Sequence, residues 1–103
     1  MTILRQGDVL LLGIEELPDG VVPVEDDNGR VILAYGELTG HVHQVEEPAK
    51  ARLWSAGAER FLQVMEKTSL VHDEHSAAEL AVGVYRVAIQ TEYTPAELRL
   101  VED

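Results

Sequence analysis

The sequence predicts a single all-β domain, a small β-barrel or β-sandwich with a short α-helix at its C-terminus. Apolar residues fall into about seven short runs of strand length, and turn-forming residues separate these runs about every 8–12 positions. A group of helix-start signals lies near the C-terminus. The chain has 103 residues, the size of one domain, so residues 1–103 are predicted to form a single β domain.

A β-hairpin is predicted in the first third of the chain. Asn28-Gly29 fits the positive φ angles of a type I′ turn. Residues 21–25 and 30–35 are predicted to be the two arms of this hairpin. Pro23 has no amide hydrogen to donate to a ladder, which places the first arm at a sheet edge.

Three further segments complete the predicted fold. Val9–Ile14 is apolar at successive positions, which favours a strand covered on both faces. In residues 85–90 the large apolar side chains Tyr85, Val87 and Ile89 occupy every second position, as in a half-buried strand, and the small residues 76–82 before them are predicted to be a connector. Residues 94–97 (Thr-Pro-Ala-Glu) combine an N-cap, a first-turn proline and a capping-box glutamate, which predicts a helix over about residues 95–101.

The stretch from residue 61 to residue 72 allows two interpretations. A strand is predicted over residues 61–65, because β-branched and aromatic residues favour a strand over a helix there. If this strand continues without a bulge, His72 points inward with the apolar side chains. If residues 67–68 form a turn, the alternation starts again and His75 is an equally good inward candidate.

Composition and charge exclude several classes of function. Nineteen acidic residues against eight basic ones give a formal net charge of −11, which repels a polyanion, so no nucleic-acid partner is expected. The chain has no cysteine, which excludes disulfides, thiolate metal ligands and a cysteine nucleophile. No apolar run approaches the length of a signal peptide or a membrane span, so we expect a soluble cytoplasmic protein without a membrane partner.

All four histidines lie in two short motifs, H-x-H at 41–43 and H-x-x-H at 72–75. On a strand, His41 and His43 project from the same face as Val45. A transition metal needs three or four ligands, and neutral imidazoles are among the commonest. The two motifs together predict a site for a divalent transition metal (Zn, Fe, Mn or Ni), with His72 and His75 as the second contribution. The alternative is a polar cluster without a metal.

The stretch 36–47 resembles the first signature motif of the cupin superfamily, in which a glycine is followed by His-x-His and then by a glutamate. The spacing from its glycine to its first histidine is one residue shorter than in that motif. The proline and glycine of the second cupin motif do not precede either histidine of the 72–75 motif. The resemblance implies a metal held inside a β-barrel. The ligands that it implies are His41, His43, Glu47 and either His72 or His75.

Nearly the whole chain also resembles a group of short bacterial proteins of uncharacterised function. The segments that carry this resemblance are Arg5-Gln6-Gly7-Asp8, Thr39-Gly40-His41-Val42-His43, His72-Asp73-Glu74-His75 and Tyr93-Thr94-Pro95. The group has no assigned activity, so this resemblance implies no reaction.

Two classes of function follow from a histidine-rich metal site. As an enzyme, the protein would use open coordination positions to polarise a carbonyl, activate a water or, with iron, bind dioxygen, and it would take a small-molecule ligand. As a binding or accessory module, the protein would use the histidines to join strands, and it could act as an acidic, oligomerising subunit. Three protein ligands plus water in a pocket favour chemistry, whereas four protein ligands favour a structural role. The sequence identifies no catalytic residue, and a homo-oligomer is compatible with the small size of the domain.

Overall fold

The described part of the chain is built from two antiparallel β-sheets, which agrees with the predicted β domain. A computed structural model describes residues 2–36 and 40–90. In chain order the strands are β1 (Ile3–Gln6), β2 (Val9–Ile14), β3 (Val22–Pro23), β4 (Ile32–Tyr35), β5 (Val42–Val45), β6 (Ala51–Ala56), β7 (Glu59–Val64), β8 (Thr68–His72), β9 (His75–Leu80) and β10 (Gly83–Ile89). A 3₁₀ turn at Pro48–Lys50 precedes β6. The described residues include no helix with the length and apolar character needed to cross a bilayer.

Neither sheet closes into a barrel. The six-stranded sheet has the order β1-β2-β10-β7-β6-β3, and the four-stranded sheet has the order β4-β5-β8-β9, so each has two different end strands within the described residues. The barrel alternative is therefore wrong, and the two open sheets share one core. Buried side chains from both sheets form that core, among them Val9, Leu11, Leu62, Tyr85 and Val87 of the six-stranded sheet and Leu33, Val45, Leu70 and Leu80 of the four-stranded sheet.

The two strands with the clearest sequence patterns lie side by side within the six-stranded sheet. In β10, Val87 pairs with Leu11 of β2, and Tyr85 pairs with Leu62 of β7. All four side chains are buried, as alternation with a period of two requires. Ile89 continues the same face but is 45% exposed, because it lies at the end of the strand.

The Asn-Gly turn forms as predicted, but its arms do not pair with each other. Asn28 and Gly29 have φ angles of 54° and 81°, and Asp27 and Arg30 exchange both backbone hydrogen bonds around them. Beyond this bridge the chain separates: β3 pairs with β6, whereas β4 pairs with β5 in the other sheet. The predicted hairpin is therefore wrong beyond its turn. Pro23 lies on an end strand, as predicted, because β3 has one neighbour.

The segment between residues 65 and 82 also differs from its prediction. The chain turns over residues 65–67, so the continuous strand is wrong. A turn does reset the alternation, as the second interpretation required, but it precedes Thr68, which begins β8. The predicted connector over 76–82 is largely strand β9, which pairs with β8 from Thr68 to His72. Small residues have low strand propensity, but pairing with β8 and complete burial of Leu80 outweigh it. The predicted helix over 95–101 lies outside the described residues.

Candidate metal centre

One histidine comes from each of three neighbouring strands. In the β5–β8 ladder Gln44 pairs with Val71, and the next step of this antiparallel register brings His43 opposite His72. On the other side of β8, His72 pairs with His75 of β9. Directly opposed residues point to the same face of a sheet, so His43, His72 and His75 form a row on one face.

A two-residue turn and a bulge set the positions of the last two histidines. Residues 73–74 form the turn between β8 and β9, and His72 and His75 flank it. Leu70 pairs with Ala78, so β9 has one more residue than β8 between the two pairs. This bulge shifts the alternation, which is why counting along the sequence does not predict which side chains share a face.

The three imidazoles are close enough to share one metal ion. The ring centroids of His43 and His72 are 4.3 Å apart, those of His72 and His75 are 4.6 Å apart, and those of His43 and His75 are 5.7 Å apart. Each ring offers a nitrogen, and the three nitrogens lie within 4.8 Å of one another. His43 is buried, His72 is half-buried and His75 is exposed, so the group opens to solvent at β9.

His41 lies beside this group and contacts the β8–β9 turn. Its ring meets that of His72 edge-on, with centroids 5.7 Å apart. Its Nε2 lies 3.5 Å from Oδ2 of Asp73, and its Nδ1 lies 3.7 Å from Oε1 of Glu74. The structure therefore brings His41 to the neighbourhood of the predicted site, with carboxylates at both of its nitrogens.

Glu47, the carboxylate ligand implied by the cupin resemblance, does not join the histidines in the structure. Its Oε2 lies 3.0 Å from Nζ of Lys50, and its Oε1 accepts a hydrogen bond from Thr68 Oγ1 at 3.1 Å. The Lys50 interaction first, and then the hydrogen bond from Thr68, hold the pKa of the Glu47 carboxyl below its usual value.

The buried carboxamide of Gln6, at the end of β1, connects the two sheets. Its Nε2 donates to the carbonyl oxygens of Leu70 and Ser76 at 2.8 and 2.9 Å. Because two acceptors fix the nitrogen, the amide oxygen faces Nδ1 of His43 at 2.8 Å. His43 Nδ1–H is therefore the donor, and the lone pair of the neutral ring lies on Nε2.

The turn between β1 and β2 lies directly against the histidine row. A Cβ on Gly7 would come within 2.7 Å of His75 Nε2 and 3.2 Å of His43 Cε1, so no side chain fits at this position without displacing a ring. Gly7 also has a φ of +59°, which glycine adopts without strain. Asp8 follows, and its Oδ1 lies 3.5 Å from Nε2 of His43.

Burial keeps His43 in its neutral form. Loss of solvent around the ring lowers the pKa of His43 below its ordinary value of 6.5, and the neighbouring His72 and His75 lower it further. Asp8 acts in the opposite direction but does not reverse the shift. A neutral imidazole is the form that binds a metal, so the burial of His43 favours ligation.

His72 has a hydrogen bond that a metal would have to replace or rearrange. The backbone N–H of Glu74 donates to His72 Nδ1 at 3.0 Å, so the proton of the neutral ring lies on Nε2. A metal at Nδ1 would displace the amide, and a metal at Nε2 would require the ring proton to move to Nδ1, which would end the hydrogen bond from Glu74. His43 is therefore already arranged for ligation, whereas His72 must change its hydrogen bonding.

The sequence did not predict that Gln6, Gly7 and Asp8 belong to the site. The available signal was the Arg5-Gln6-Gly7-Asp8 motif, which occurs with both histidine motifs in the proteins that the chain resembles. That motif does not indicate where these residues lie relative to the histidines.

A separate cleft of about 420 Å³ contains none of the histidines. It is lined by Thr2, Gly13, Ile14, Glu15, Val82, Gly83, Val84 and Tyr85.

Comparison with known proteins identifies a family but no activity. Residues 5–90 match the family described as a domain of unknown function (DUF8820), and the chain belongs to this family. No curated protein and no solved structure matches the chain. The matched residues contain both histidine motifs and the β1–β2 turn. The comparisons give no cupin match, so the cupin resemblance of residues 36–47 stays a prediction.

Proposed function

We propose that this member of the DUF8820 family binds one divalent transition metal ion through His43, His72 and His75. The observation that carries the proposal is the approach of three imidazole nitrogens to within 4.8 Å of one another, from three adjacent strands. Imidazole nitrogens suit zinc, iron, nickel and copper, and the cysteine-free chain offers no thiolate to compete with them.

The geometry fits such an ion after small side-chain movements. Metal–nitrogen bonds of about 2.0–2.1 Å in a tetrahedral arrangement place two ligand atoms about 3.3–3.4 Å apart. The nitrogens therefore need to approach one another by up to about 1.4 Å from their limit of 4.8 Å. His72 and His75 flank a two-residue turn, and His75 is exposed, so these two rings have room to rotate towards the buried His43.

A catalytic role is supported by the open side of the site. A metal held by three imidazoles can polarise a carbonyl or lower the pKa of a bound water. The exposed His75 marks the side from which a small molecule would approach. Asp73 and Glu74 lie on the adjacent turn and are exposed, so their carboxylates can accept a proton or contact a polar substrate there.

A structural role is supported by a different observation. The side chain of Gln6 belongs to the six-stranded sheet, yet it contacts His43, Leu70 and Ser76 of the other sheet. A metal at the histidines would therefore lie where the two sheets meet, and it would stabilise their junction in the same way as structural metals stabilise small domains. This role needs no substrate.

The expectations about partners and location remain part of the proposal. A small-molecule ligand is supported by the open side of the site, and a nucleic-acid partner is disfavoured by the net charge of −11. Self-association is supported by the exposed apolar side chains Ile3 and Val82, which are 58% and 64% exposed. A cytoplasmic location remains an expectation from the sequence.

A thermal-shift experiment tests metal binding. Zinc at about 100 times its dissociation constant stabilises the folded chain by about 2.7 kcal/mol, which raises Tm by about 10–20 °C for a domain of this size. A chelator should reverse the shift, and His75→Gln, at an exposed position, should remove it without unfolding the protein. Equal shifts for the wild type and His75→Gln would overturn the proposal.

A further inference from the structure

The turn between β1 and β2 brings a carboxylate to the nitrogen of His43 that faces away from Gln6. Asp8 Oδ1 lies 3.5 Å from His43 Nε2. The separation of two ligand atoms on a tetrahedral metal is about 3.3–3.4 Å, so this pair is already close to the spacing of two ligands of one ion. Asp8 lies outside the group of three histidines, so its carboxylate would still have to move towards His72 and His75. The Asp8 side chain is 45% exposed, so its carboxylate has room to change its position.

The hydrogen bonding of His43 leaves Nε2 as the ring nitrogen that faces Asp8. The Gln6 nitrogen is held by the carbonyls of Leu70 and Ser76, so its oxygen must accept the Nδ1 proton of His43. In neutral His43 the lone pair of Nε2 then faces a carboxylate oxygen of Asp8, and both atoms are hydrogen-bond acceptors. A metal ion between these two atoms would bond to both of them.

We propose that Asp8 is the fourth ligand of the metal, so that the ion is held by three imidazoles of the four-stranded sheet and by one carboxylate from the β1–β2 turn. This inference rests on the proposed metal binding by the three histidines. Four protein ligands close a tetrahedral shell, which is the arrangement of structural sites. The metal then joins the two sheets, beside the hydrogen bonds of Gln6.

The charge of the site agrees with a carboxylate ligand. Three neutral imidazoles leave the full double charge of the ion, and one carboxylate reduces it to a single positive charge. Glu47, the alternative carboxylate, is engaged by Lys50 and Thr68. Asp73 and Glu74 contact His41 rather than His43. Asp8 is the carboxylate placed at the ligating nitrogen of the buried histidine.

The test compares Asp8→Asn with Asp73→Asn in the full chain, with zinc as the probe. Both positions are at least partly exposed, and both substitutions keep the size of the side chain, so both variants should fold. We expect Asp8→Asn to weaken zinc binding by tenfold or more, and Asp73→Asn to change it by less than threefold. In the wild type, the carboxyl ¹³C resonance of Asp8 should shift on zinc addition and saturate at one equivalent.

The outcomes separate this inference from the proposed function. If the wild type binds zinc but the Asp8 resonance does not move and Asp8→Asn binds within threefold of the wild type, the fourth ligand is overturned and the three-histidine site stands. If the wild type binds no zinc, iron, manganese or nickel, the proposed function and this inference are both overturned.

Discussion

Replacement of Gln6 by leucine tests whether one buried carboxamide joins the sheets and orients His43. The side chain is 3% exposed and makes three hydrogen bonds, two as donor to carbonyls and one as acceptor from the His43 ring. Leucine has a similar volume but no polar atoms. The substitution therefore removes the hydrogen bonds while it keeps most of the packing.

The expected loss of stability follows from the groups left without partners. The Leu70 carbonyl and His43 Nδ1 are buried at these contacts, whereas the Ser76 carbonyl is partly exposed and can bind water. A buried polar group without a partner costs about 1–3 kcal/mol, so two such groups cost about 2–6 kcal/mol. Domains of this kind are stable by about 5–15 kcal/mol, so Gln6→Leu should remove a large fraction of the stability.

Urea unfolding of the metal-free protein measures this loss. With a slope of about 2 kcal/mol/M, the midpoint should fall by about 1–3 M. Gln90→Leu is the matched control, because Gln90 is exposed and surface substitutions change stability by about 0.5 kcal/mol or less. If Gln6→Leu unfolds at the same urea concentration as Gln90→Leu, the carboxamide does not connect the sheets and our account of His43 is wrong.

Three other predictions concern the same site. Gly7→Ala should be more destabilising than Gly57→Ala: both glycines have φ near +60°, but an added Cβ meets His75 at position 7 and nothing within 4 Å at position 57. The difference between the urea midpoints of the two variants measures the cost of the contact with His75, and equal midpoints would contradict this contact. Glu47→Gln should leave zinc affinity unchanged in a calorimetric titration, because other partners hold this carboxylate; a tenfold loss would restore it as a ligand. The metal-free protein should lose stability as pH falls below 6.5, because His43 takes up a proton in the unfolded chain at a higher pH than in the folded one. The loss should reach its full size once the pH is below the lowered pKa of His43 in the folded chain. Unfolding curves measured across this pH range should lack the loss in His43→Gln.

The elements that were predictable from sequence are those set by local patterns. Alternation over 85–90 and the continuous apolar run of β2 each need only their own residues to form a buried face. The Asn28-Gly29 turn is also local, because both φ angles depend on these two residues. Strand pairing is not local. The arms of this turn join different sheets, and β9 is a strand through its pairing with β8.

The histidines of the site were predictable from the sequence, but the residues around them were not. The two histidine motifs are visible in the sequence alone. In the structure, the β5–β8 register brings His43 opposite His72. Gln6 ends β1 of the other sheet and Asp8 lies in the turn that follows, and neither residue type is distinctive in sequence. Glu47 was implied only by a motif resemblance, and its carboxylate contacts Lys50 instead.

Equilibrium dialysis against zinc, with metal content measured per folded chain, tests the three-histidine site most directly. Our account predicts one zinc per wild-type chain, and an affinity reduced by at least tenfold in His72→Gln and in His75→Gln. His41→Gln is the matched control and should bind zinc like the wild type, because the two nitrogens of this ring face the carboxylates of Asp73 and Glu74 rather than the other histidines. A wild-type chain that binds no zinc, or the same affinity in His75→Gln as in the wild type, would contradict the account.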